Sequence, residues 1–389
     1  MEESFSPSPL LSQKEINQDW LEKVLSHSQK GAVKVQSWTV KSPDRRNGFL
    51  SEICFVKVSY TASKGCTEER DLVIKFNPQD KKLAEIMMNG NLGKREVAFY
   101  KYAGSEDVRA FFFKCGLINP VPYVYLAGIK ESLLTIVMHD LNTDGYKLST
   151  PAEGNYLNQI KSTLKPLAII HASGIAAIQS HGKLYVDFSW DPSFLDELVK
   201  TGIDLQVKLY DGTTTANTLK SLIPHSADLV NWSDKYPFVD TLIHGDLWTG
   251  NVMFSDDNQL ASIFDWQFAK VGNPVCDILT LLLMSSHPSV YNEHLIETLE
   301  FYWENFERAL KQNGVSSGIS FEDLVRNLED MWMYGFMFMS ASLPVLMENS
   351  KITVGRVQAI VSFFEEKEAF AKFLLSYLLA SSKISNGRL

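Results

Sequence analysis

Three polar side chains at fixed spacing carry the chemistry of this sequence. In Leu242-Ile243-His244-Gly245-Asp246-Leu247-Trp248-Thr249-Gly250-Asn251 an apolar lead-in delivers a carboxylate, Asp246, and five residues later an amide, Asn251. Ile263-Phe264-Asp265-Trp266-Gln267 supplies a second carboxylate. Between them, Val252-Met253-Phe254, a turn at Ser255 to Asn258, and Leu260 to Phe264 read as a short β-hairpin. Such a hairpin folds the chain back, so that Asn251 and Asp265 face one cation. Phosphoryl transfer from ATP to a hydroxyl uses these parts in this order: an acid that takes or orients the hydroxyl proton, then two oxygen ligands for Mg²⁺. Asp246 is therefore the candidate catalytic base, and Asn251 and Asp265 are the candidate metal ligands. A lone His-Gly-Asp would mean little, because Gly-Asp favours any turn. Its weight comes from the spacing, the flanking strands and a lysine upstream.

That lysine is Lys75, in Asp71-Leu72-Val73-Ile74-Lys75-Phe76, where it interrupts an apolar strand. An unpaired ammonium in a core is costly, so an anionic partner is expected. ATP phosphates are one candidate; Glu96 is the other, since it shares a helical face with Leu92, Phe99, Tyr100 and Ala103. An exposed strand edge for Lys75 and a solvated rim for Glu96 is the bland alternative. Upstream, Val33 to Lys41 and Ile53 to Tyr60 alternate as strands, joined by Ser42 to Phe49. In an ATP site such a loop covers the phosphates, with Gly48 and Ser51 as the contacting residues. There is no G-x-G-x-x-G here, and taken alone the loop is equally a plain hairpin connection. Tyr123 to Ile129 and Leu133 to Met138 complete a five-stranded antiparallel sheet. Met138-His139-Asp140-Leu141 then forms a hinge whose backbone meets the adenine edge, and polar Asn142 to Pro151 marks a lobe boundary.

The remaining elements position these residues. Ser12-Gln13-Lys14-Glu15 has the form of a capping box ahead of Ile16, Trp20 and Val24 at helical spacing. Tyr156 to Ile178 is a helix in which His171 reads as a packed histidine bonded to the catalytic loop. Asp277, in the first turn of the helix after Gly272-Asn273-Pro274, has a structural role in tying that loop down. Gly182 to Ser226 reads as helices that help enclose an acceptor. Pro288 onward reads as amphipathic helices with a break at Gln312 to Ser320.

The chain has 389 residues, 45% hydrophobic and 21% charged, as expected of a globular protein with two lobes. A net charge of −9 argues against nucleic-acid or anionic-membrane binding. Four scattered cysteines without a C-x-x-C pair suit a reducing compartment and offer no zinc site. The N-terminus has neither a secretory nor a transit pattern, so a cytoplasmic location is expected. Met331 to Met347 is uncharged but short for a membrane span, and reads as a buried helix.

Taken together, His244 to Trp248 with Asn251, Asp265-Trp266-Gln267, Gly272-Asn273-Pro274 and Asp277 resemble the CHK kinase-like group. This group includes the ecdysteroid kinase-like proteins, relatives of choline/ethanolamine kinases and aminoglycoside phosphotransferases. Val73-Ile74-Lys75, Arg95 to Tyr100, Asp140-Leu141 and His171-Ala172-Ser173 extend the resemblance. It implies an α+β, protein-kinase-like two-lobe fold. Residues 1–138 would form an N-lobe of five antiparallel strands plus a helix, and 139–389 a larger, mainly helical C-lobe. The implied activity is ATP- and Mg²⁺-dependent phosphorylation of a small-molecule hydroxyl, with a steroid or xenobiotic as acceptor and no protein partner. Lys75 would contact the α/β-phosphates, Glu96 would hold Lys75, and Met138 and Asp140 would lie at the adenine. His139 stands where the family usually has an acid, which puts the adenine pocket in doubt. Between Asp265 and Gly272 no long activation loop intervenes, so no platform for a peptide substrate is evident. Alternatives are a choline- or ethanolamine-type kinase and a pseudokinase that binds without turnover. Against the latter, Lys75, Glu96, Asp246, Asn251 and Asp265 are all present.

Overall fold

The computed structural model describes residues 7–43, 50–63, 65–149, 152–184, 186, 188 and 193–386. Helix α1 (Gln18–Gln29) precedes strands β1 (Val33–Lys41), β2 (Glu52–Ala62) and β3 (Thr67–Phe76). Helices α2 (Lys81–Asn89), α3 (Leu92–Ala103) and α4 (Glu106–Lys114) follow, then β4 (Val124–Lys130) and β5 (Leu133–His139). The five strands form one antiparallel sheet in the order β1-β2-β3-β5-β4. Alternation in β2 places Cys54, Val56, Val58 and Tyr60 on one face, where they pack with Trp20, Leu21 and Val24 of α1. The other face is covered by α3, and its core runs on into the second lobe.

One expectation fails at the N-terminus. Ser12 makes no capping bond and residues 13–15 form a single 3₁₀ turn; the helix starts at Gln18, capped by Asn17, whose side chain accepts from Trp20 N. Glu15 reaches back to the N–H of Leu11 instead. The local pattern was satisfied by a turn, and the stronger Asn cap set the helix start.

The C-lobe opens with the two-residue strand β6 (Lys147–Leu148) and the long helix α5 (Leu157–His181), then α6 (Phe194–Leu209), α7 (Thr214–Leu222) and α8 (Ser226–Val230). The segment that carries Asp246, Asn251 and Asp265 is built from β7 (Thr241–Ile243), β8 (Val252–Phe254), β9 (Leu260–Ile263) and β10 (Lys270–Gly272). Helices α9 (Val275–Ser285), α10 (Pro288–Glu293), α11 (Leu295–Gln312), α12 (Phe321–Asp330), α13 (Trp332–Glu348), α14 (Val354–Glu366) and α15 (Ala369–Asn386) complete the lobe. The chain therefore breaks at Met331 and at 349–353 as well as at 313–320; apolar Met331 gives no local sign of its turn, whereas Asn349-Ser350-Lys351 is a polar run that does. Uncharged 331–347 is the buried helix α13, and no helix among the described residues is long and apolar enough to cross a membrane.

α13 and α6 cross very closely. A Cβ built on Gly202 would stand 1.7 Å from the carbonyl oxygen of Ser340. Gln206, one turn on, donates to Ser340 Oγ at 2.9 Å. Glycine is thus required where two backbones touch. Gly202→Ala should destabilise the fold by about 3 kcal/mol through forced separation of these helices, read as a lower urea midpoint; an unchanged midpoint would show that the crossing is loose.

Candidate active site

The register of the sheet puts Lys75 in the middle of its core, opposite Ile53 on β2 and Ile136 on β5. Its side chain is buried, and Nζ donates to Glu96 Oε2 and to Asp265 Oδ1, each at 2.7 Å. A strand, a helix and the end of the C-lobe hairpin therefore meet on one ammonium. Burial acts to lower the Lys75 pKa, but the two carboxylates outweigh it and hold the group charged. Burial raises the Glu96 carboxyl despite its lysine, and Glu96 Oε1 has no hydrogen-bond partner.

The hairpin forms as the spacing predicts. Val252 pairs with Ile263, and Phe264 N donates to Asn251 O at 3.0 Å, so Asn251 lies opposite the residue before Asp265. Ile263 N donates to Pro120 O at 2.6 Å, strapping the hairpin to the segment before β4. Asp265 itself is left-handed (φ 62°, ψ 59°), a conformation that Asp tolerates better than most residues. The next residue, Trp266, is fully buried and stacks on Phe99 of α3 with centroids 3.7 Å apart.

Asp246 and Asn251 sit on one tight loop, with Asn251 Nδ2 donating to Asp246 O at 2.9 Å and to Asp246 Oδ2 at 3.2 Å. The loop's shape comes from beneath. Buried Asp277 accepts from His244 N at 2.6 Å, Gly245 N at 2.9 Å and His171 Nε2 at 3.2 Å. Burial would raise the Asp277 carboxyl, but His171 and His244 more than offset it and hold it below the usual range. The structural role expected for Asp277 is thus observed. His171 reaches the loop through Asp277, and its Nδ1 lies 2.7 Å from Tyr302 OH. Gly245 has φ +79°, and a Cβ there would lie 2.5 Å from Phe268 O. His244 is held neutral by burial; its Nε2 donates to Phe264 O at 3.0 Å, which leaves Nδ1 to accept from Asp246 N. Burial, then the charge of Asp265, pushes the Asp246 carboxyl up to about 8.

The remaining site candidates are spread around this centre. Ser51 is buried two residues from Ile53, the cross-strand neighbour of Lys75, whereas Gly48 lies outside the described residues. Met138 is paired on both sides, with Val73 and Val124. Asp140 is committed to its own turn: its N–H donates to Asp71 O, its carboxylate accepts from Asn142 N and Nδ2, and its carbonyl accepts from Thr143. His139, the departure at the hinge, pairs with Asp144 at 2.8 Å.

Arg95, known from the sequence only as part of a motif, has a clear structural position. Buried beside Glu96, it donates from Nε to Gly90 O (3.2 Å), from Nη1 to Ala269 O (2.9 Å) and from Nη2 to Phe188 O. It thereby ties α3 to the chain just beyond Asp265. Its spacing from Leu92 and Phe99 already put it on the apolar face of the helix. Arg95 also lines a cavity of about 180 Å³ that reaches Gly245 of the loop carrying Asp246, with Asp234, Phe268, Lys270, Tyr334 and Phe338 among its other walls. Of the aromatic cluster on α13, Tyr334 and Phe338 face this cavity, while Trp332 and Phe336 pack on Phe363, Phe364 and Phe370.

The family model for the ecdysteroid kinase-like family matches residues 45–315. The chain belongs to the ecdysteroid kinase-like family. A comparison with curated proteins gives no match. Among solved structures, an ethanolamine kinase of Plasmodium vivax is 12% identical with a TM-score of 0.42, over 92% of this chain and 94% of its own. A choline/ethanolamine kinase family protein of Mesorhizobium loti is 13% identical at TM-score 0.40, over 85% and 87%. A thermostable aminoglycoside phosphotransferase mutant, solved with ADP and hygromycin B, is 16% identical at TM-score 0.40, over 89% and 97%. In this ecdysteroid kinase-like chain no cluster of three or more His, Cys, Asp or Glu able to hold a metal occurs among the described residues.

Two measurements test the site's geometry. Lysine cannot reach three divergent carbonyls, so Arg95→Lys should lower stability by about 2 kcal/mol in a denaturant titration. No loss would mean that those carbonyls find other donors. Because folding raises the Asp246 pKa, the protonated carboxyl favours the native state and that contribution is lost as pH rises through about 8. Nucleotide-free Asp246→Asn should therefore gain thermal stability over the parent as pH goes from 5 to 8. A constant difference would contradict the burial of this carboxyl.

Proposed function

We propose that this chain is an ATP- and Mg²⁺-dependent phosphotransferase acting on a hydroxyl of a small molecule, a steroid or xenobiotic. The observation that carries this reading is Lys75, held at 2.7 Å by both Glu96 and Asp265, with Asp246 and Asn251 joined on the adjoining loop. In this reading the N-lobe, 1–138, receives the nucleotide, with Gly48 and Ser51 over the phosphates and Met138 and Asp140 at the adenine. Lys75 meets the α/β-phosphates, and the C-lobe, 139–389, holds the acceptor. A cytoplasmic location belongs to the same reading.

The donor set fits Mg²⁺. Asn251 spends its amide nitrogen on Asp246, so its oxygen is the coordinating end, and Asp265 has one carboxylate oxygen beyond its bond to Lys75. Two hard oxygen donors suit an ion that takes its remaining ligands from phosphates and water, which is why no cluster of three acidic or histidine side chains is needed. Bound there, the ion would neutralise charge on the β- and γ-phosphate oxygens. The chain's own residues then do three things. In its ionised form Asp246 orients the acceptor hydroxyl and takes its proton as the new O–P bond forms and the bond to the ADP oxygen breaks. Lys75, fixed by Glu96, holds the phosphates in line. His244 and Asp277 keep the loop carrying Asp246 in one conformation.

A second reading, an amino-alcohol acceptor, draws on the cavity beside Gly245. At about 180 Å³ it is smaller than sites for drug-sized ligands, roughly 300–1,000 Å³. A steroid would enter only if its walls part, whereas a small amine fits as it stands. Asp234 near Tyr334 and Phe268 offers the aromatic and acidic surroundings that such a cation favours. A radiolabelled transfer screen over steroids, glycosides, plant phenols and amino alcohols separates the two. Asp246→Ala should reduce turnover on the best acceptor by on the order of a hundredfold or more while nucleotide still binds. Full activity in that variant, or no transfer to any acceptor, would reject the reading.

A further inference from the structure

β4 is the last strand of the sheet: one edge pairs with β5, and among the described residues no strand lies beside the other. Pairing groups alternate along a strand, so beyond an irregularity between Val124 and Leu126 every second residue of Leu126–Lys130 turns its N–H and C=O toward that free edge. Natural proteins usually shorten, charge or cover such an edge, because it is a template for another strand. Here all of β4 lines a groove of about 1270 Å³. One wall is Pro7 to Pro9 with His27 of α1; the other is formed from α3 and α4 by Lys101, Arg109 and Phe113. The groove thus has the shape of a slot with a strand along one side.

Its chemistry is equally specific. Phe113 and Ile118 are 83% and 92% exposed at its rim, unusual for side chains of that size. Lys101, Arg109 and Lys130 line it together with His27, and no Asp or Glu is among the lining residues. None of those three cations is in an ion pair among the described residues. On a chain of net charge −9, a groove with only cations is a local reversal of sign. We infer that this slot receives an extended segment of a partner protein, which adds to β4 as a further strand and carries acidic side chains toward Lys101 and Arg109. Backbone pairing would give affinity, and the cations and the apolar rim would select the sequence. A second copy of the chain suits the slot poorly. A two-fold edge-to-edge pairing would bring cationic grooves of like charge together.

Random nonapeptides displayed on phage and selected on the full chain supply the probe, resynthesised with a fluorescent label. The account expects recovered peptides rich in Asp and Glu with interspersed apolar residues. N-methylation at alternate peptide positions should abolish binding, while methylation at the intervening positions leaves it intact. Lys101→Glu with Arg109→Glu should weaken binding at least tenfold with no change in the melting temperature of the protein. Any of four results would overturn the inference. The first is that no recovered binder depends on Lys101 and Arg109; the second, that binding is insensitive to N-methylation, which means charge without strand pairing. The third is a concentration-dependent dimer that the double variant abolishes, and the fourth is peptide binding that requires removal of residues 1–6.

Discussion

Everything in the cleft depends on one buried ammonium. Lys75 is 4% exposed on a central strand, and the cost of removing its charge from water is met by two carboxylates from different parts of the chain. Glu96 comes from α3 and Asp265 from the end of the C-lobe hairpin, so the pairing requires sheet, helix and second lobe to be in register together. Removing both acids would leave a buried charge uncompensated, which costs on the order of 3–5 kcal/mol. The arrangement is also unbalanced in sign. Two acids face one base, and burial, with the charge of Asp265 added to it, lifts the nearby Asp246 carboxyl.

A second carboxylate organises the loop from below. Asp277 spends its two oxygens on consecutive backbone N–H groups of His244 and Gly245, and on His171. The position of Asp246 is thus fixed through main-chain atoms by a side chain that touches no reacting group. Arg95 and the Phe99–Trp266 stack serve the other half of the site, binding α3 to the residues just after Asp265. Any movement of α3 therefore moves Glu96, and any movement of the Asp265 segment pulls on Lys75.

The parts of this arrangement visible in the sequence are those whose signal is local. Lys75 stands out because an apolar strand has no other reason to carry a charge, and Glu96 because its helical face is otherwise apolar. The hairpin between Asn251 and Asp265 follows from a turn between two short β-rich runs. Where local rules competed, they misled: Ser12 to Glu15 has the letters of a capping box, but Asn17 caps the helix. The hinge shows a different limit, since what Asp140 bonds depends on Asp71, Asn142 and Thr143 at once. The cavity beside Gly245 was the least legible. Its walls come from Arg95, from α6, from 230–234, from 268–270 and from α13, and Gly202 sits where α6 and α13 approach each other. No periodicity within one segment encodes that meeting.

The most direct test of the account is whether Asp265 and a divalent ion act on the nucleotide together. Thermal melting of the parent chain and of Asp265→Ala, each with ATP alone and with ATP plus Mg²⁺, isolates this term. The account predicts an added stabilisation by Mg²⁺ in the parent that Asp265→Ala loses. An equal Mg²⁺-dependent shift in both proteins would place the ion elsewhere and contradict the central claim.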